Sequence, residues 1–198
     1  MAERLGYRIK LLGITKRRPE GIELRVHPTL VPKESMIANV EGAMNAVLVR
    51  GDAVGQSLFY GKGAGEEPTA SSVVADLVDV TRLLTADPEH RVPHLAFQAD
   101  AMADTPILSI DDVVTSYHLR MRVLDQPGVL ADLTRLLADA GISIQAMIQQ
   151  PRVHDKTAEL IFVTHEAVER NINQAIASIE ALSFVKSKVT RLRMESLA

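Results

Sequence analysis

The segment YHLRMRVLDQPGVL, residues 117–130, decides the fold of the C-terminal half of the chain. Its first residues alternate between apolar and polar, and a period of two predicts a strand with one buried face. The sequence Asp125–Gly128 predicts a turn, because Pro127 suits the first position of a helix. Leucines then recur at three- and four-residue steps up to Ala140, and Gly141 is placed to end the helix. The segment therefore predicts a strand, a turn and a helix.

The remainder of this half continues the same pattern. A second alternation covers residues 142–148, an apolar strand covers 158–164, an amphipathic helix covers 168–182, and a fourth strand falls within 185–194. The order β-α-β-β-α-β predicts a ferredoxin-like sandwich with both helices on one face of the sheet. The fold class that we expect for the whole chain is α+β.

The N-terminal half predicts strands over Tyr7–Ile14 and around Ile22–Val26, followed by a hairpin formed by residues 44–49 and 54–59. A helix is predicted from Thr69 to Leu84. These elements contain no Ser-His-Asp set, no clustered metal ligands and no paired carboxylates, so we predict neither catalytic residues nor a metal site. We divide the chain into residues 1–97, a linker at 98–114 and a second domain at 115–196.

The sequence Gly61-Lys62-Gly63-Ala64-Gly65 forms a glycine-rich turn between a strand and a helix. Spaced glycines let the backbone approach a ligand or a neighbouring element closely. We expect Thr69 or Ser71 to cap the helix that follows. The turn is not the dinucleotide-binding fingerprint, because the third glycine at the required spacing is missing. By itself it indicates either ligand contact or close packing.

Composition limits the range of functions. The chain has 198 residues, 46% of them hydrophobic, which is typical of a globular protein. A net charge of -3 argues against a nucleic-acid partner, since there is no basic excess to neutralise phosphates. The chain contains no cysteine and no apolar run long enough to cross a membrane. We therefore expect a soluble cytoplasmic protein that does not bind membranes.

The turn Leu124–Leu130, within its β-α-β-β-α-β order, resembles the ACT regulatory domain. Members of that family commonly bind a small amino acid at a domain interface. The resemblance implies that Asp125, Gly128, Val129 and Leu130 bind an effector, with the carboxylate facing an ammonium and helix N–H groups facing a carboxylate. An alternative stays open, in which Asp125 only caps the helix and Gly128 only permits a tight turn.

Four segments of the N-terminal half resemble homoserine dehydrogenases, in the same order as in that family. The resemblance covers residues 3 to 95, and bacterial members commonly carry a C-terminal ACT domain. It implies a role in the NAD(P)-dependent interconversion of L-homoserine and L-aspartate 4-semialdehyde, on the route to threonine, methionine and isoleucine. The four segments are Gly6–Gly13, Val26–Pro32, Asn39–Val47 and Gly61–Asp76.

The nucleotide-binding domain and the catalytic lysines of that family would lie upstream of residue 1. We therefore expect the chain alone to lack homoserine dehydrogenase activity. The resemblance implies that Gly63, Ala64 and Gly65 contact the NAD or NADP cofactor of the complete enzyme, with strand-to-helix packing as the open alternative. It gives His27 at most a minor gating role.

The same resemblance implies a homo-oligomer with L-threonine as its effector. A function of another class is also open. The chain could be a stand-alone amino-acid sensor of the ACT type, in which the N-terminal half serves only for dimerisation.

Overall fold

The protein is described by a computed structural model over residues 2–85, 99–152 and 155–197. The described elements are three α-helices and nine strands, so the predicted α+β class is confirmed. In chain order they are β1 (Tyr7–Arg18), β2 (Gly21–Pro32), β3 (Met44–Gly51), β4 (Gly55–Lys62), α1 (Glu66–Thr85), β5 (Val114–Leu124), α2 (Val129–Asp139), β6 (Ile144–Arg152), β7 (Thr157–Thr164), β8 (Ala167–Val168), α3 (Glu169–Glu180) and β9 (Thr190–Met194).

The elements form two compact units that do not follow the order of the chain. The first unit combines Met1–Glu34 with Thr105–Ala198, and the second is Ser35–Asp104. The domain boundaries predicted from the sequence, at residues 97/98 and 114/115, remain a prediction. The first of these boundaries lies outside the described residues. The compact units differ from it because β1 and β2 share a sheet with the C-terminal strands.

The sheet of the first unit has the strand order β1-β2-β9-β5-β7-β6, with the short β8 pairing with the start of β5. Strands β5, β6, β7 and β9 with helices α2 and α3 give the predicted β-α-β-β-α-β order. The fourth strand of this module is shorter than predicted. It begins at Thr190, whereas Val185 makes only an isolated bridge to Val123.

The core of this module lies between one face of the sheet and the two helices. Every second residue of β5 from Tyr117 to Val123 is buried there, as the alternation predicts. Each fully buried Leu or Ile contributes about 1.5–3 kcal/mol through apolar burial. The sheet and helices meet in one cluster that includes Phe162, Leu133, Leu137, Ile172 and Ile179.

Strands β1 and β2 form a long antiparallel hairpin that extends this sheet. β2 runs parallel to β9, with Thr29 opposite Arg193 and Leu30 opposite Met194. Both strands are confirmed, but the buried face of β2 is its polar face. Glu23, Arg25 and His27 are buried, whereas the apolar residues Leu24 and Val26 are 55% and 70% exposed. Polar residues can be buried there because they bond to one another, as described below.

The second unit contains the predicted hairpin, formed by β3 and β4, and the helix α1. The helix begins at Glu66, three residues before Thr69. Thr69 and Ser71 consequently lie inside it, so the expected caps are wrong. Glu66 and Glu67 occupy the first turn, where negative side chains complement the positive end of the helix. The apolar side chains of α1, including Leu77 and Leu84, are exposed.

A buried carboxylate fastens α3 to the sheet. Glu169 accepts hydrogen bonds from Tyr117 Oη at 2.7 Å and from Arg193 Nε at 2.8 Å, and it pairs with Arg191 at 2.7 Å. Its burial opposes ionisation, but these donors and cationic charges outweigh burial and hold the pKa of Glu169 below its ordinary value. Burial and the neighbouring Glu169 carboxylate raise the pKa of Tyr117, so the phenol stays a donor.

We predict that Glu169→Gln lowers the free energy of unfolding at neutral pH by about 3 kcal/mol, since it leaves buried arginine charge without its partner. A carboxylate with a lowered folded-state pKa stabilises the fold above its unfolded-state pKa. That stability is lost as the pH falls through the folded-state pKa. The difference between wild type and variant should therefore narrow as the pH is lowered from about 4.5, the unfolded value of Glu169. Urea titrations at several pH values measure this difference.

The control for this prediction is Glu166→Gln, which removes one carboxylate charge from an exposed position. It should change stability by less than about 0.5 kcal/mol. A Glu169→Gln variant as stable as this control at pH 7 would contradict the prediction.

Candidate functional site

The glycine-rich turn between β4 and α1 is exposed along its whole length. Gly65 has a φ of +123°, a conformation that other residues rarely adopt, and its carbonyl oxygen accepts a hydrogen bond from the Thr69 N–H at 3.1 Å. At Gly63 an added Cβ would lie 2.5 Å from Asn45 Nδ2. Local geometry thus accounts for both glycines, while the exposed backbone of Gly63, Ala64 and Gly65 is also accessible to a ligand.

The turn between β5 and α2 places the predicted effector residues. Gly128 is the N-cap of α2 at a φ of +91°, and no side chain caps this helix. Asp125 does not cap it. The Asp125 carboxylate Oδ1 accepts a hydrogen bond from Gln149 Nε2 at 3.2 Å, and the Asp125 N–H donates to the Lys156 carbonyl at 2.9 Å. Of the two interpretations from sequence, helix capping by Asp125 is therefore wrong in this structure.

The four predicted effector residues fall into two pairs. Asp125 and Gly128 are exposed at the surface, whereas Val129 is buried and Leu130 packs against the core. The buried Val129 can therefore meet a ligand only through its backbone, where its N–H donates to the Gln126 carbonyl at 3.4 Å, whereas Leu130 is half-buried. The N–H groups of the first helical turn have no acceptor four residues earlier within the helix, so the start of α2 can bind an anion.

Gln149 is a residue of this surface that the sequence interpretation did not select. It lies in β6, and its amide orients the Asp125 carboxylate across 24 positions of sequence. The alternation of residues 142–149 assigns Gln149 to the polar face of β6, but only the strand pairing brings it beside the turn.

His27 lies inside the polar face of β2. Arg25 Nη1 is 2.9 Å from His27 Nε2 and can only donate, so Nε2 is an acceptor and the proton resides on Nδ1, 3.0 Å from Thr29 Oγ1. Burial, and the nearby charges of Arg193 and Arg25, lower the pKa of His27, which favours the neutral ring. The side chain is buried among these partners, and its gating role stays a prediction.

An ionic cluster on the polar face of β2 was also missed from sequence. The Glu195 carboxylate, just after β9, pairs with Lys16 at 2.8 Å and with Arg25, and Arg25 also pairs with Glu23 at 2.7 Å. Burial opposes ionisation of Glu195, but the bonds from Lys16 and Arg25 outweigh it and lower the pKa of Glu195. The polar triplet Glu23, Arg25 and His27 on an otherwise apolar strand was the sequence signal.

Across residues 2–85, 99–152 and 155–197, no group of three or more His, Cys, Asp or Glu side chains is arranged to hold a metal ion. Within the same ranges, no helix combines the length and apolar character needed to cross a membrane.

The fold and the turn at Asp125–Gly128 are those of a module of the ACT class, and residues 117–184 match the ACT domain family. Residues 1–78 match the homoserine dehydrogenase family. The chain therefore contains a homoserine dehydrogenase family region followed by an ACT domain, and the resemblance inferred from the sequence is confirmed.

Individual relatives agree with these family matches. A homoserine dehydrogenase of Pseudomonas aeruginosa is 55% identical over 99% of this chain and 45% of its own length. One from Neisseria gonorrhoeae is 53% identical over the same shares of the two chains. The chain thus spans about 45% of the length of these curated relatives.

Solved structures show the same similarity. The crystal structure of a homoserine dehydrogenase from Thiobacillus denitrificans matches the whole chain with a TM-score of 0.91 and 64% identity, over 44% of its own length. A Staphylococcus aureus homoserine dehydrogenase matches 98% of the chain at 26% identity with a TM-score of 0.58.

We predict that Gly128→Ala lowers the free energy of unfolding by about 1–2 kcal/mol, because alanine is strained at a positive φ. The cost is one of backbone conformation alone, since an added Cβ at Gly128 would meet nothing within 4 Å. Chemical denaturation measures the change. Gly13→Ala, in β1 of the same compact unit, is the matched control, because Gly13 has no positive φ and an added Cβ there makes only an ordinary contact with Val26 at 3.9 Å. Equal stability of the two variants would contradict the prediction.

Proposed function

We propose that this chain acts as part of a homoserine dehydrogenase, which interconverts L-homoserine and L-aspartate 4-semialdehyde with NAD or NADP. The observation that carries the proposal is 55% identity to such an enzyme along 99% of the chain. The reaction would be cytoplasmic and would serve the synthesis of threonine, methionine and isoleucine. Its cofactor supplies or accepts the hydride.

The glycine-rich turn is the surface of this chain that we assign to the cofactor. Its backbone at Gly63, Ala64 and Gly65 is exposed, so a flat group can approach it closely. Glu66 and Glu67 follow at once, and their charges disfavour a phosphate at this helix start. We therefore assign the turn to an uncharged portion of the cofactor. Residues outside this chain would bind the phosphates.

The ACT domain would bind a regulatory amino acid at the turn between β5 and α2. The exposed Asp125 carboxylate suits the ammonium of an amino acid, and the N–H groups at the start of α2 suit its carboxylate. Gln149 holds the Asp125 side chain in place for this contact. We propose L-threonine as the effector and a homo-oligomer as the assembly in which it acts. An effector regulates only if it binds one arrangement of that assembly more tightly than another.

We predict that calorimetric titration of the 198-residue chain with L-threonine gives measurable heat, and that Asp125→Asn weakens binding at least about tenfold. The neutral amide loses the charge-assisted hydrogen bond to the ammonium, worth about 1.5–3 kcal/mol. Asp139→Asn, which removes a charge from an exposed position on α2, should leave binding unchanged. Isoleucine and methionine are titrated in parallel. If none of the three gives heat at millimolar concentration, the domain serves for oligomerisation only.

The catalytic assignment is tested in a chimera in which this chain replaces the matching region of the Pseudomonas aeruginosa relative. The chimera should reduce aspartate semialdehyde with NADH or NADPH. A folded chimera without turnover would contradict the proposed activity and favour the stand-alone sensor, which would bind an amino acid without catalysis.

In the active chimera, we predict that Gly65→Val raises the cofactor KM at least about tenfold by steric exclusion. Gly65→Ala is the matched control, because it carries the same positive-φ strain with a smaller side chain. An unchanged cofactor KM in folded Gly65→Val would show that Gly65 serves only strand-to-helix packing. Equal effects of the two variants would assign the loss to backbone strain.

A further inference from the structure

The cluster around Glu195 connects elements that are far apart in the sequence. Its carboxylate pairs with Lys16 from β1 and with Arg25 from β2. Thr115 Oγ1 from β5 lies 3.5 Å from this carboxylate and donates its short hydrogen bond to the Met194 carbonyl at 2.5 Å. The Glu195 N–H also donates to the Leu30 carbonyl at 3.0 Å. One residue just after β9 thus contacts both strands of the β1–β2 hairpin and lies beside the central strand of the ACT sheet.

Backbone pairing alone holds the hairpin only weakly at this junction. β2 and β9 pair at two positions, Thr29 with Arg193 and Leu30 with Met194. A second junction is equally short, since Ile22 exchanges backbone hydrogen bonds of 2.9 Å with Pro106 and Leu108. The buried ion pairs, together with the apolar cluster of Leu30, Val163 and Met194, therefore complete the attachment between the hairpin and the ACT sheet.

The charges at this junction are compensated, and the compensation depends on Glu195. The Arg25 side chain is fully buried and lies between the carboxylates of Glu23 and Glu195. A buried guanidinium that loses a carboxylate partner is left with uncompensated charge, which strongly disfavours the closed arrangement. Opening the hairpin would return Arg25 to water and relieve this cost.

We infer that Glu195 is a coupling residue, which makes the β1–β2 hairpin of the homoserine dehydrogenase region open and close as one unit with the ACT sheet. The hairpin and the ACT sheet then move together, so a displacement of β9 also displaces β1 and β2. This inference goes beyond the proposed function, because the coupling exists whether or not an effector binds.

Hydrogen exchange read by mass spectrometry on the 198-residue chain tests the coupling. In Glu195→Gln, peptides covering residues 7–32 should exchange at least about tenfold faster than in wild type, while peptides covering β7 and α2 keep their protection. Glu166→Gln removes the same charge from an exposed position and should change neither region. Unchanged protection of residues 7–32 in Glu195→Gln would overturn the inference, and so would an equal loss across the whole first unit.

A double-mutant cycle with Lys16→Met tests whether the effect depends on the Lys16–Glu195 pair, and Lys16→Met alone keeps the coupling testable if Glu195→Gln folds poorly. Lys16 is partly exposed, with 34% of its side chain accessible, so its replacement is mild. Lys16→Met alone should speed exchange of residues 7–32 by a smaller factor than Glu195→Gln. In the Glu195→Gln background it should add almost nothing, because its partner is already gone. Fully additive effects, or no effect of Lys16→Met alone, would overturn the coupling role of Glu195.

Discussion

The first unit depends on the pairing of β5 on both of its sides. This strand bonds to β7 along one edge and to β9 along the other, so its backbone polar groups are satisfied inside the sheet. The placement of the helices and of the β1–β2 hairpin follows from the position of β5. One face of β5 must meet the helices, and Tyr117 from this face reaches the Glu169 carboxylate at the start of α3. The other neighbour, β9, then provides the edge on which the hairpin is added.

The hairpin shows how electrostatics can override an apolar pattern. Leu24 and Val26 would favour a buried apolar face, yet the polar side of β2 is the buried one. The carboxylates of Glu23 and Glu195 make this arrangement tolerable, because the buried positive charge of Arg25 lies between them. The outcome leaves Ile9 and Leu11 of β1 exposed, like Leu24 and Val26 of β2, whereas Leu30 and Val31 at the end of β2 are buried. Charge pairing thus decides the orientation of the hairpin, and apolar burial decides the orientation of β5.

The elements that could be predicted from the sequence are those that local periodicity and turn residues determine. The β-α-β-β-α-β order, the hairpin of β3 and β4 and the glycine turn before α1 each follow from alternation, helical spacing or turn residues within a short window. The sequence could not predict contacts between residues that only strand pairing brings together. The cap expected at Thr69 failed because α1 starts earlier, at Glu66, with two acidic side chains in its first turn. Gln149 and Glu195 reach their partners across 24 and 170 residues of sequence, a separation that no window covers.

The parallel pairing of β2 with β9 also governs when the sheet can be completed during synthesis. Thr29 must wait for Arg193, which lies close to the end of the 198-residue sequence. The ribosome delivers the chain from its N-terminus, so the hairpin stays without this strand neighbour until β9 has been synthesised. Contacts of such long range slow folding, because the loop between the partners must close first. Until β9 emerges, the open edge of β2 is therefore available to chaperones and to mispairing.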